Sequence, residues 1–139
     1  MGWRGHRRAS LSARNPFGVV TALFDTNILI DYLRGLPHAQ RELTRYHTHA
    51  ISIITWMEVI AGTPDGAEAE TRSFLSAFTL VELDAPIAAQ AVHLRQAHRL
   101  KLPDAIVWAS AQTRSMLLVT RDEKAFPPDD PGVRIPYRL

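Results

Sequence analysis

Residues 19–35 read Val19-Val20-Thr21-Ala22-Leu23-Phe24-Asp25-Thr26-Asn27-Ile28-Leu29-Ile30-Asp31-Tyr32-Leu33-Arg34-Gly35. The run Val19 to Phe24 is short, apolar and rich in β-branched residues, the pattern of a strand buried on both faces. Asp25, Thr26 and Asn27 then supply turn and cap chemistry. Ile28, Leu29, Tyr32 and Leu33 fall at helical spacing, and Gly35 ends that helix.

The same alternation of strand and helix continues outward from this unit. A helix is expected from Pro37 to Tyr46, then a strand over Ala50 to Ile54. Thr55 is placed to cap a helix running through Trp56, Val59 and Ile60 to Gly62, with Thr55 and Glu58 spaced as a capping box. Turn residues at Thr63 to Gly66 precede a helix over 67–77 and a strand over 78–83. Asp84 caps a helix that reaches about Leu100, with Ile87, Ala91, Leu94 and the stem of His98 on one face. Pro103 and Asp104 open the next helix, which passes Trp108 to Gln112. Met116 to Thr120 is a further strand, and Val133 to Ile135 a short edge strand stopped by Pro136. Strands separated by helices predict an α/β fold with helices on both faces of a parallel sheet, a three-layer α/β/α architecture.

The 139 residues suffice for one domain, with 46% hydrophobic and 22% charged side chains and no cysteine. Disulfides, thiolate nucleophiles and cysteine zinc sites are therefore excluded. The same absence suits a reducing compartment, and a cytoplasmic location is expected. No apolar run approaches the ~20 residues of a membrane span. The net charge of +2 is unevenly spread: residues 1–18 contain Arg4, Arg7, Arg8 and Arg14 and no acid, so the other 121 residues, with 12 basic and 14 acidic side chains, carry −2. Residues 1–18 lack periodicity and read as a flexible basic tail, residues 19–139 as the folded domain. A transit peptide and a weak phosphate-binding arm are the other readings of that segment.

In a parallel α/β sheet, ligands bind beyond the carboxyl ends of the strands, where the strand order reverses. Asp25 follows the first strand and Asp122 the fourth, while Asp104 and Glu58 stand in early turns of helices. Singly, each has a bland role at the positive end of a helix dipole. Jointly, they can converge on one sheet edge. Two carboxylates ~4 Å apart repel by about 4 kcal/mol at an effective dielectric of 20, which a cation would offset. An all-oxygen donor set favours Mg²⁺ or Mn²⁺. Such a site can activate water for phosphodiester hydrolysis.

Four stretches carry a resemblance. Leu23-Phe24-Asp25-Thr26-Asn27-Ile28-Leu29-Ile30-Asp31, Trp56-Met57-Glu58-Val59-Ile60-Ala61-Gly62, Leu102-Pro103-Asp104-Ala105-Ile106-Val107-Trp108-Ala109-Ser110-Ala111 and Val119-Thr120-Arg121-Asp122 occur in the order of the motifs of PIN-domain nucleases. The chain most resembles the VapC-like toxin ribonucleases of toxin–antitoxin modules. The resemblance implies an endoribonuclease dependent on Mg²⁺ or Mn²⁺, with RNA as substrate, a cognate antitoxin as partner and a homodimer as the assembly. It carries catalytic and metal-binding roles onto Asp25, Glu58, Asp104 and Asp122, and supporting hydrogen bonds onto Asn27 and Thr120.

Arg121, between two of these residues, is a candidate for RNA phosphate, and Arg34 and Arg114 are further candidates for a positive flank. Asp31 is expected to be exposed on its helix, and Glu123 is a possible fifth acid. Trp56 and Trp108 read as core residues. His47, His49, His93 and His98 read as surface or packing residues, His47 and His49 flanking a loop. A catalytically inactive PIN fold that binds RNA or protein is the alternative reading. A phosphoryl-transfer enzyme with an aspartyl nucleophile fits less well, because Asp25-Thr26-Asn27 lacks the second acid of an Asp-x-Asp strand end. If residues 1–18 are a tail, a chain starting at Val19 should melt at the same temperature as the full chain; a loss of several degrees would mean that Trp3 or Phe17 packs on the body.

Overall fold

The computed structural model describes residues 20–139, so the expectation for residues 1–18 lies outside the described residues. Among the described residues, five strands form one sheet: β1 (Thr21–Phe24), β2 (Thr48–Ser52), β3 (Thr79–Val81), β4 (Leu117–Val119) and β5 (Val133–Arg134). Their order is β3-β2-β1-β4-β5, and every neighbouring pair is parallel. Six helices connect them: α1 (Thr26–Leu33), α2 (Pro37–Thr44), α3 (Ile53–Ala61), α4 (Glu68–Leu75), α5 (Ala85–His98) and α6 (Leu102–Thr113).

Alternate residues of the central strands feed two cores, as the twofold side-chain period of a strand requires. Leu23, Ala50, Val81 and Leu118 pack with Ile87, Ala91 and Leu94 of α5 and most of α6. Ala22, Phe24, Ile51, Leu117 and Val119 pack on the other face with Ile28, Leu29, Leu43, Val59 and Leu75. The expected three-layer α/β/α fold is thus the observed one. Trp108 is buried in the first core, edge-on to Phe126, and His98 lies against its ring. Trp56 is half-buried, with the Arg72 guanidinium 5.1 Å from its ring centre.

Four expectations need correction. β2 ends at Ser52, whose hydroxyl accepts from the Ile54 N–H (3.1 Å) and caps α3. Ile53 and Ile54 are therefore the first turn of a helix and not the end of a strand, a distinction that an apolar run does not carry. Thr55 is buried inside α3 and caps nothing, and Glu58 stands beyond the first turn, where no backbone N–H needs it. Asp31, expected to be exposed, is only 5% exposed. It is buried because the C-terminal segment folds back across α1. His49 is likewise inside β2, its Nε2 2.6 Å from the Leu43 carbonyl oxygen, and does not flank a loop.

Candidate active site

The sheet order reverses between β1 and β4, and the chain emerging from both strands carries polar side chains at the same edge. The Asp25 N–H donates to the Val119 carbonyl (2.9 Å), extending the β1–β4 ladder by one residue. Asp25 also caps α1, its Oδ1 accepting from the Thr26 N–H (2.8 Å). Oδ2 accepts from the Thr120 hydroxyl (2.8 Å) and from the Asn27 amide (3.2 Å). A carboxylate offers about four acceptor positions; three are taken, and one is left for a ligand.

Thr120 is the hub of this arrangement. Fully buried, it donates to Asp25 while its oxygen accepts from the Asp122 N–H (3.0 Å) and lies 3.4 Å from the Asn27 amide nitrogen. Asn27 is a second link between the strands, since its Oδ1 accepts from the Arg121 N–H (3.1 Å). Asp122 Oδ1 accepts from the N–H groups of Lys124 (3.2 Å) and Ala125 (3.0 Å), which fixes the turn after β4. Glu58 reaches the same edge from α3, accepting from the Thr26 hydroxyl (2.6 Å). Thr26 has one hydroxyl proton, so Thr55, whose oxygen is 3.1 Å away, completes the chain by donating to Thr26. Asp104 stands in the first turn of α6.

The electrostatics tie the four acids together. Burial pushes the Asp25 carboxyl from its ordinary 3.8 up to about 6; the Thr120 and Thr26 bonds oppose this, and the charges of Asp104 and Glu58 add to it. Asp104 is also pushed up, first by burial, then by Asp122 and Glu58, with Lys101 pulling the other way. All four sequence-predicted acids thus share one field, and Asn27 and Thr120 lie within it.

The predicted positive flank is different. Arg121, which lines a depression with Asn27 and Asp122, commits its guanidinium to Asp31 through two bonds of 2.7 and 3.2 Å. Arg114 pairs with Asp84 (2.7 Å) at the far end of α6, ~15 Å of helix beyond Asp104. Arg34 ends α1, ~13 Å from Asp25 along the axis. Glu123, the possible fifth acid, is engaged by Arg138 (2.7 and 3.0 Å). Arg99, Lys101 and Lys124 line a depression of about 360 Å³ together with Asp104 and Asp122. None of the three makes an ion pair among the described residues. Their nearness depends on the α5–α6 turn, which only the fold brings beside β4.

Among the described residues, no three acidic or histidine side chains are drawn together as a ready-made metal cage. The donor chemistry nevertheless fits Mg²⁺ or Mn²⁺. It is all oxygen, the acids repel one another, and Asp25 keeps a free acceptor position. Mg²⁺ commonly takes one or two carboxylates and fills its shell with water and substrate phosphate.

Comparisons with known proteins agree with this geometry. The PIN domain family matches residues 22–127. A chain of a toxin–antitoxin complex from Klebsiella pneumoniae is 45% identical, with a TM-score of 0.78 over 85% of this chain and 99% of that one. A chain of FitAB bound to an IR36 DNA fragment is 25% identical, with a TM-score of 0.73 over 85% of this chain and 96% of that one. FitAcB from Neisseria gonorrhoeae, at 24% identity, has the same fold, with a TM-score of 0.68 over 85% of this chain and 99% of that one. No curated protein matches the chain.

A pH prediction follows from Asp25. Its folded-state pKa lies above its ordinary value, so ionising it in the fold costs stability. That cost is absent below about pH 3.8 and complete above about pH 6, about 3 kcal/mol at 1.36 kcal/mol per pH unit. Asp25→Asn has no such cost, though its single amide oxygen can serve either the Thr26 N–H or the Thr120 and Asn27 donors, a loss that is the same at every pH. Measured by urea melts in EDTA, the stability of Asp25→Asn relative to wild type should therefore rise by roughly 2.5 kcal/mol between pH 4 and pH 7. A pH-independent difference would contradict the buried, ionised Asp25.

Proposed function

The chain belongs to the PIN-domain family, and on that premise we propose that it is a metal-dependent endoribonuclease and the toxin of a toxin–antitoxin pair. The observation that carries the proposal is the convergence of Asp25, Glu58, Asp104 and Asp122 in one field at the β1–β4 edge. A module that only bound RNA would gain nothing from this, since clustered acids repel a polyanion.

Asp25 and Asp104, with Glu58 and Asp122, would hold Mg²⁺ or Mn²⁺. The bound ion supplies a water of lowered pKa and a counter-charge for the phosphate. Thr120, Asn27 and the Thr26 N–H hold the Asp25 carboxylate in one orientation, and Thr26 does the same for Glu58. Arg99, Lys101 and Lys124 attract the RNA backbone to a cleft that would otherwise repel it.

The partner is an antitoxin, by similarity to the Klebsiella pneumoniae chain, which was solved in a toxin–antitoxin complex. An arginine suits inhibition, because its planar fork pairs with carboxylates and would displace metal. A homodimer in the cytoplasm is the expected setting; among the described residues, no helix is long and apolar enough to cross a membrane.

Cleavage of a structured RNA in Mg²⁺, with an EDTA control, tests the proposal. Asp25→Asn and Asp104→Asn should lower kcat by at least about 100-fold, and Thr120→Val by about 10- to 100-fold. The rise in Tm on adding Mg²⁺ should shrink in Asp25→Asn and Asp104→Asn. Wild-type cleavage by Asp25→Asn, or equal cleavage in EDTA, would refute the metal-site reading. RNA binding without any cleavage would select the inactive binding module.

A further inference from the structure

Arg121 is the sequence candidate for RNA phosphate, and in the structure its guanidinium is committed to a carboxylate. Its guanidinium grips Asp31 of α1 through Nε (2.7 Å) and Nη2 (3.2 Å), and the Tyr137 hydroxyl donates to the same Asp31 Oδ2 (2.8 Å). The pair is not a loose surface bridge, since the Asp31 side chain is 7% exposed and the Arg121 side chain 31%. A fork-to-fork bond of this kind fixes the direction of the arginine as well as its position. The Tyr137 phenol is held in its protonated, donating form, first by burial and then by its bond to Asp31.

The backbone of that same arginine enters the site. Its N–H donates to Asn27 Oδ1, and this bond decides which end of the Asn27 amide is presented to Asp25 and Thr120. An Asn amide must be oriented by its partners, since oxygen and nitrogen ends occupy similar space. With Oδ1 on the Arg121 N–H, the NH₂ group faces the Asp25 carboxylate. Without it, the amide is free to turn its oxygen toward a carboxylate that needs a donor.

We propose that Asp31 and Tyr137 are positioning residues: they clamp the Arg121 side chain so that its backbone N–H holds Asn27, and through Asn27 the Asp25 carboxylate, in the orientation the reaction requires. Tyr137 lies beyond the region matched by the PIN family, residues 22–127. The C-terminal segment thereby becomes a working part of the site. This proposal rests on the nuclease reading for its kinetic consequence and on the hydrogen bonds alone for its structural one.

The experiment has two arms, both on the full chain. In the first, amide hydrogen exchange is followed by NMR in EDTA for wild type, Tyr137→Phe and Asp31→Asn. The Arg121 amide should lose about 10-fold protection in Asp31→Asn and less in Tyr137→Phe, while the Leu118 amide, bonded to the Gly132 carbonyl inside the sheet, changes only as far as global stability does. In the second arm, RNA cleavage in Mg²⁺ should show kcat reduced about 10-fold in Asp31→Asn and a few-fold in Tyr137→Phe, with KM unchanged. Tyr137→Phe removes a single hydrogen bond and keeps the ring, so it remains informative if Asp31→Asn folds poorly. Arg121 protection that merely tracks Leu118 overturns the proposal, as does an active wild type whose kcat neither variant alters. If wild type cleaves no RNA, the nuclease reading fails, and the exchange arm alone decides the clamp.

Discussion

The Thr120 hydroxyl bonded to Asp25 joins the ends of two strands across the point where the sheet order reverses. On it rests the problem that the rest of the site has to solve: a carboxylate almost without solvent, between two hydrophobic layers. Removing such a charge from water costs several kcal/mol, and hydrogen bonds to a charged group return about 1.5–3 kcal/mol each. Three donors converge on Asp25, yet its pKa still stands at about 6. The fold therefore leaves the group ionised at neutral pH but under-compensated. That deficit is what a divalent cation would relieve, and it makes cation affinity rise with pH as the carboxyl loses its proton.

Most of this frame is legible in the sequence, for a physical reason. A strand buried on both faces is an unbroken apolar run, and polar residues following it have one place to go, the sheet edge. Asp25 and Thr120 are each marked by such a transition, and Asp104 by the Pro103 that opens its helix. Glu58 was found for a partly wrong reason. The Thr55–Glu58 spacing resembles a capping box, but Ser52 does the capping, and Glu58 is held by Thr26, 32 residues away. The apolar residues on both sides of Ser52 let strand and helix readings run together, and the capping serine at the boundary is the only local mark of it.

Charge partners were the illegible part. Asp31 on its helix has the local sequence of a solvated acid. Only the return of the C-terminal segment buries it between Arg121 and Tyr137, contacts 90 and 106 residues distant in sequence. Glu42 is a parallel case. Nearly buried, it accepts two bonds from Arg134 of β5 and one from the Tyr46 hydroxyl. Local periodicity carries no trace of a partner supplied by the last strand.

These commitments decide where positive charge is available to a polyanion. Arg121, Arg134, Arg138 and Arg114 are each neutralised by a carboxylate within 2.7 Å. An engaged arginine contributes little field beyond its own pair, because its partner cancels it at a distance. The uncommitted cations beside the acids belong to the α5–α6 turn and to Lys124, all on the Asp104–Asp122 side of the cleft. The body's net charge of −2 is thus compatible with RNA binding, provided the strand approaches from that side. Arg99 adds to this face from a left-handed backbone position (φ 57°) at the end of α5. A glycine would fit that backbone more easily. It would also bring no charge to the face on which the acids most need one.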